Sequence, residues 1–181
     1  FNDLEKQEMQ SISQALEDNA YITFLPHRDG LEYSNIFPYL KAETNCSDEE
    51  INSIVSKAIF SLDIYKVYES DGLLLNMNGR VPDEGAMVEA GVAWAFQKKI
   101  VIYKNDYRSI INGHDNPMII GLSGFELVKE YEAIPRKFDE LFADQKNTDQ
   151  SKKELPDIDI FIQKGKDLSK LTSSRTDSIS L

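Results

Sequence analysis

The chain has 181 residues, 41% of them hydrophobic and 28% charged, a balance that fits about one soluble globular domain with a core of its own. Its formal charge of −11 argues against duplex DNA or RNA as a partner, because phosphate backbones need clustered Lys and Arg, but leaves room for a small nucleoside or nucleotide in a local pocket. A single cysteine, Cys46, excludes an internal disulfide framework and suits a reducing cytoplasm; no signal peptide is evident and no apolar run approaches the ~20 residues that span a bilayer.

Residues 2–18 carry Leu4, Met9, Ile12 and Leu16 at mostly three- and four-residue spacings, the pattern of an amphipathic helix that Asn19 ends. YITFL (21–25) is a short β-rich run stopped by Pro26, and HRDGLEYSN (27–35) reads as the loop at the end of that strand. Ser47 followed by Glu50 is a capping-box pattern. It opens a long helix through Ile51, Ile54, Val55, Ala58, Ile59 and Leu62 to about Ser70. GLLLNM (72–77) is a buried strand, followed by a Gly- and Pro-containing loop and a second strong helix over 84–97. KKIVIYKN (98–105) is a continuous apolar strand of the kind found in parallel sheets covered on both faces. After a less regular stretch over 106–124, FELVK (125–129) reads as an edge strand and 134–145 as a final core helix.

From Gln145 the composition shifts to Gln, Lys, Asp, Ser and Thr. The expected organisation is one domain over 1–145 and a polar extension over 146–181, with a short helix at 155–171 and a disordered end. Alternating helices and strands point to an α/β fold with a mainly parallel sheet. Ligands of such sheets sit outside the C-terminal ends of the strands, which gathers the 27–35, 76–85 and 104–117 loops around one cleft. A sheet that opens on a helix is unusual, so a first, central strand is expected upstream of Phe1.

Three carboxylates stand out. Glu89 interrupts the otherwise small and apolar run from Ala86 to Ala93; it is either a solvent-facing glutamate on an amphipathic helix or an ionised group at the mouth of a pocket, a nucleophile or a stabiliser of positive charge. Asp83, in Pro-Asp-Glu-Gly, is a good N-cap and needs no catalytic role to account for it. Asp63 falls late in the long helix, where a solvated Asp is the plain reading. Gly79 and Gly85 allow tight backbone geometry and close approach to a ligand, although no GxGxxG or Walker A motif is present. His27, His114 and Cys46 lack metal-ligand spacing, so neither a metal nor a cofactor is expected.

On these residues the chain resembles the nucleoside 2-deoxyribosyltransferases. FNDLEKQEMQSISQALEDNAYITFLPHRD is similar to that family's first helix and second strand, which end in a Pro-x-Arg-Asp pattern. More specific is SDGLLLNMNGRVPDEGAMVEAGVAWAFQKKIVIY, in which a loop of the type Asp-Gly-Arg-x-x-Asp-x-Gly precedes a helix bearing Glu-x-Gly. Together the two blocks cover most of residues 1–128. The resemblance implies a flavodoxin-like (Rossmann-like), mainly parallel sheet of about five strands with helices on both faces.

The same resemblance implies Glu89 as the nucleophile at C1′ of the deoxyribose and Asp83 as the loop aspartate that contacts the nucleobase. Asp63, eight residues before Asp71, matches a second base-facing aspartate. Asn116, in DNPM, stands where the family places a residue that reaches a neighbouring subunit's sugar 5′-hydroxyl, and Phe1 matches a phenylalanine that packs against the base. Asn76 and Gly79 belong to the substrate loop; there many relatives have Asp-x-Asp-Gly-Arg and this chain reads Asn76-Met77-Asn78-Gly79-Arg80. The implied activity is exchange of nucleobases on 2′-deoxyribonucleosides by a cytoplasmic homo-oligomer, a nucleotide-salvage reaction without a cofactor. Water in place of the acceptor base would make the protein an N-glycoside hydrolase on nucleosides or nucleotides, and a catalytically silent nucleoside binder is a third reading.

Overall fold

The computed structural model of the chain describes residues 3–79, 83–107 and 114–147. By its internal contacts the chain divides into two compact units, Phe1–Ala143 and Asp144–Leu181. The first contains both strands and the residues of the site. Phe1, Arg80 and the helix predicted over 155–171 lie outside the described residues.

Seven helices and two strands are described: α1 (Asp3–Glu17), α2 (Pro26–Asp29), α3 (Tyr33–Glu43), α4 (Asp48–Glu69), β1 (Gly72–Asn76), α5 (Glu84–Ala95), β2 (Lys99–Tyr103), α6 (Pro117–Ile120) and α7 (Ala133–Asn147). A 3₁₀ turn over Gly121–Ser123 follows α6. β1 and β2 pair in parallel, from Gly72 opposite Lys99 to Asn76 opposite Tyr103, and α5 is the crossover between them. A parallel pair requires such a crossover, and the helix covers one face of the sheet as it returns.

Alternation along the two strands divides the core. Leu75, Ile100 and Ile102 pack with Val67 of α4 and with Ala90 and Ala93 of α5. On the other face, Val101 and Tyr103 pack with Ile12 and Leu16 of α1 and with Ile134 and Phe138 of α7, Leu74 lying against them. Helices therefore cover both faces, as an α/β fold requires. Gly72 is fixed by this packing: a Cβ there would lie 2.8 Å from the Phe138 ring and 2.9 Å from the Lys99 carbonyl oxygen.

The start of α4 follows its capping signal. Ser47 Oγ accepts the backbone N–H of Glu50 at 3.3 Å, and the Glu50 carboxylate accepts the backbone N–H of Ser47 at 2.8 Å. Ser47→Ala removes one half of this reciprocal cap and is expected to cost about 1 kcal/mol, read as a lower urea midpoint at unchanged slope. An unshifted midpoint would mean that the cap contributes nothing in solution.

Three expectations are corrected. YITFL forms no strand: among the described residues no strand pairs with it, β1 pairs only with β2, and Ile22 is fully exposed. β-propensity describes how well a side chain fits a sheet, and it makes a strand only where a neighbouring strand takes up the backbone groups. The 125–129 run contributes one parallel bridge, Val128 to Tyr103, with Val128 N–H donating to the Ile102 carbonyl at 2.8 Å and Lys104 N–H to the Val128 carbonyl at 2.8 Å. Residues 27–35 are not one loop, since α2 takes 26–29 and α3 begins at Tyr33. Pro26 sits in the first turn of α2, where its missing N–H costs nothing, and the Asp29 carboxylate accepts the Leu25 N–H at 2.9 Å. Leu4 is also exposed, so the apolar face of α1 runs through Met9, Ile12 and Leu16 only.

The sheet described has two strands and parallel pairing, which is the α/β class without the full count of about five. No helix among the described residues is long and apolar enough to cross a membrane.

Candidate active site

Both strands end at the same edge of the sheet, β1 at Asn76 and β2 at Tyr103. The described residues leaving that edge, 77–79 and 104–107, lie where α/β sheets hold ligands. Gly79 lies in the first of these with φ +110°, a backbone conformation that side chains with a Cβ adopt only under strain.

α5 packs against the sheet through Ala90 and Ala93, which are fully buried, while Val88 lies exposed on another face. Asp83 is its N-cap, the carboxylate Oδ1 accepting the backbone N–H of Ala86 at 2.8 Å. A Cβ at Gly85 would come within 3.1 Å of that oxygen, so glycine leaves the cap room to form. The plain reading of Asp83 is therefore realised. The capping bond occupies one carboxylate oxygen and leaves Oδ2, on an exposed residue, for other partners.

Glu89 falls in the second turn of the same helix and is half-buried, not solvent-facing. Burial, and after it the negative charges of Asp63 and Asp83, push its carboxyl from the ordinary 4.5 up to about 7. Asp63, half-buried near the end of α4, is raised too, by burial. The packing of α4 against α5 thus joins residues that no local pattern connects. The charges of Asp63 and Asp83 therefore both bear on Glu89. Groups of carboxylates whose surroundings hold one of them well above its ordinary range are typical of acid–base and nucleophilic sites.

Asn116 caps α6, its Oδ1 accepting the Met118 N–H at 3.0 Å, so its amide N–H groups are the part left to reach a ligand. The segment before it is held by a buried ion pair between Lys104 and Asp115. Asn76 stands at the end of β1 with both ends of its side chain engaged: the amide donates to Glu8 at 2.8 Å, and Oδ1 accepts the Asn78 N–H at 2.9 Å. Asn78, one of the two asparagines where relatives carry aspartate, converges on this loop with Glu8, Asn105 and Tyr131, which sequence reasoning did not single out. Glu8 is one charge among many on α1, and its partners are separated from it by 68 to 123 positions; nothing in local spacing marks it.

A parallel βαβ unit with helices on both faces defines the class: an α/β domain, in which ligands are ordinarily held outside the C-terminal ends of the strands. The chain belongs to the nucleoside 2-deoxyribosyltransferase family, whose model matches residues 1–154, the whole of the region that carries the site. It is thereby a member of a transferase family acting on small nucleosides. A search of curated proteins gave no match.

Proposed function

We propose that the protein transfers the 2-deoxyribosyl group between nucleobases through a covalent intermediate on Glu89. The observation that carries this reading is the half-buried Glu89, raised to about 7 by burial and by Asp63 and Asp83, within a chain of this family. A carboxylate so placed is more basic, and a better nucleophile, than an exposed one.

In the first half-reaction a Glu89 carboxylate oxygen attacks C1′ as the bond from C1′ to the base nitrogen breaks. The electron pair of that bond leaves with the base, and Asp63 or Asp83 donates the proton the base nitrogen needs. In the second, the nitrogen of another base attacks C1′, the C1′–oxygen bond breaks, Glu89 departs as carboxylate and the aspartate recovers its proton. Two inversions give net retention, and two sequential displacements give ping-pong kinetics. Asn76, Gly79, Gly85 and Phe1 belong to the substrate contacts in this reading. Asn116 contributes its amide to the sugar of a neighbouring subunit, which makes the working form a homo-oligomer. The scaffold is the flavodoxin-like sheet of about five strands, and the setting is cytoplasmic nucleoside salvage.

Incubation with a 2′-deoxynucleoside and a second free base tests the proposal. Transfer yields a new nucleoside; free base and free sugar alone would instead mean hydrolysis, and binding without turnover a silent receptor. A slowly hydrolysed 2′-fluorinated nucleoside is expected to leave a sugar adduct on the peptide containing Glu89, seen by mass spectrometry. An adduct on any other carboxylate refutes the assignment of the nucleophile.

A further inference from the structure

At the end of β1, polar side chains from four separate segments meet. Glu8 of α1 accepts the Asn76 amide through Oε2 at 2.8 Å and the Asn78 amide through Oε1 at 2.8 Å. The Tyr131 hydroxyl donates to the same Oε1 at 3.3 Å. Asn78 also donates to Asn105 Oδ1 at 2.9 Å, while its own Oδ1 accepts the backbone N–H groups of Asn105 at 3.0 Å and Asp106 at 3.1 Å. Just beyond, Gly79 N–H donates to the Asp106 carboxylate at 3.4 Å.

Both donors and both lone pairs of the Asn78 amide are therefore used. The loop is fastened on one side to α1 and on the other to the segment after β2. Asp83, the N-cap of α5, follows Gly79 by four positions in the chain.

We propose that Glu8 and Asn78 are a positioning pair, fixing the direction in which the chain leaves β1, through Gly79, ahead of Asp83 and Glu89. What is positioned rests on the function proposed above; the pair itself rests on the hydrogen bonds alone. Asparagine is the residue this arrangement needs at 78. An aspartate there accepts the two backbone N–H groups equally well, but it cannot donate to Glu8 and sets one carboxylate against another. Neither residue touches the reacting atoms in this account, and both act through the loop.

The test uses the full chain with Asn78→Asp, Glu8→Gln and the two combined. The combined variant reverses the pair, the new amide at position 8 donating to the new carboxylate at 78. Asn78→Asp is expected to lower kcat/KM for base exchange by about tenfold, mostly in kcat, with the combined variant recovering most of the loss, as coupled neighbours do. Amide hydrogen exchange at Gly79, Asn105 and Asp106 is expected to quicken in Asn78→Asp and slow again in the combined variant. A combined variant no better than Asn78→Asp by both readouts, or an Asn78→Asp protein like the parent in both, overturns the proposal. Should Asn78→Asp fail to fold, folding of the combined variant supports the pair and its failure to fold overturns it. A parent protein that exchanges no bases refutes the proposed function, and the amide-exchange comparison then judges the pair without it.

Discussion

Glu89→Ala is expected to reduce base exchange by at least about 10³-fold, in kcat rather than in KM, while leaving a folded protein. The loss is large because the variant removes the atom that bonds to C1′, and a neighbouring aspartate fixed on another element, or engaged as a cap, stands in the wrong place to replace it. Folding survives for a separate reason. Glu89 is a half-buried carboxyl whose charged form is disfavoured by burial and by two like charges. Alanine is the best helix former, and its introduction into α5 removes that conflict. Circular dichroism and thermal melting separate a dead fold from a dead site, and a folded Glu89→Ala protein with unchanged turnover would sink the nucleophile.

The second large effect is on pH. With Glu89 raised to about 7, the free protein holds its nucleophile half-protonated near neutrality. With a 2′-deoxyribosyl substrate whose leaving group needs no proton, which isolates Glu89 from the donor aspartate, kcat/KM is expected to rise about tenfold per pH unit below 7 and to level off above it, so that two units of acid cost about 100-fold. A profile already flat from pH 5 upward would show that Glu89 titrates as an ordinary carboxylate. Stability moves in the opposite direction. Between 4.5, the ordinary value, and about 7, the folded protein keeps a proton that the unfolded chain releases. Stability contributed by the protonated carboxyl is thus present below 4.5 and is lost as pH rises through 7. The isosteric Glu89→Gln carries no such dependence. Its advantage over the parent should be near zero at pH 4 and reach on the order of 1–2 kcal/mol at pH 8, the full shift being discounted for the solvent that reaches this partly exposed group. Urea unfolding at the two pH values measures it, and equal differences at both would remove the linkage.

In the proposed reaction these two effects share one origin: the nucleophile is a destabilised carboxylate. Active sites commonly hold groups in such unfavourable surroundings, and the stability given up there is supplied by the rest of the core. Here the core does so on both faces of the sheet, with Ile51, Ile102, Tyr103 and Ile134 fully buried.

Much of this was legible in local sequence. The capping box at Ser47 and Glu50 predicts the start of α4 to the residue, and the apolar runs at 72–77 and 98–105 predict β1 and β2 with the helix between them. Each of these signals depends on neighbours within a turn or a strand, so the rest of the chain need not be known to read it. Glu89 and Asp83 are legible in the same way, because the loop-and-helix motif is itself a local pattern. Local pattern also misleads. YITFL has every mark of a strand yet forms none, and α3 is hidden by Pro38 in its interior, a residue that ordinarily speaks against a helix.

Capping, periodicity and motif spacing therefore predict the long helices α1, α4, α5 and α7 and the two strands, and they single out Glu89 as a candidate. They do not settle the state of that carboxylate. Glu89 is raised first because the fold partly buries it, and then because the packing of α4 on α5 brings the charge of Asp63 near it. The asparagines that replace the loop's expected aspartates find their meaning only when α1 lays Glu8 against them. Burial, charge–charge repulsion and the hydrogen bonds of a distant glutamate act through space, between residues far apart in the chain, and only the folded arrangement makes them neighbours.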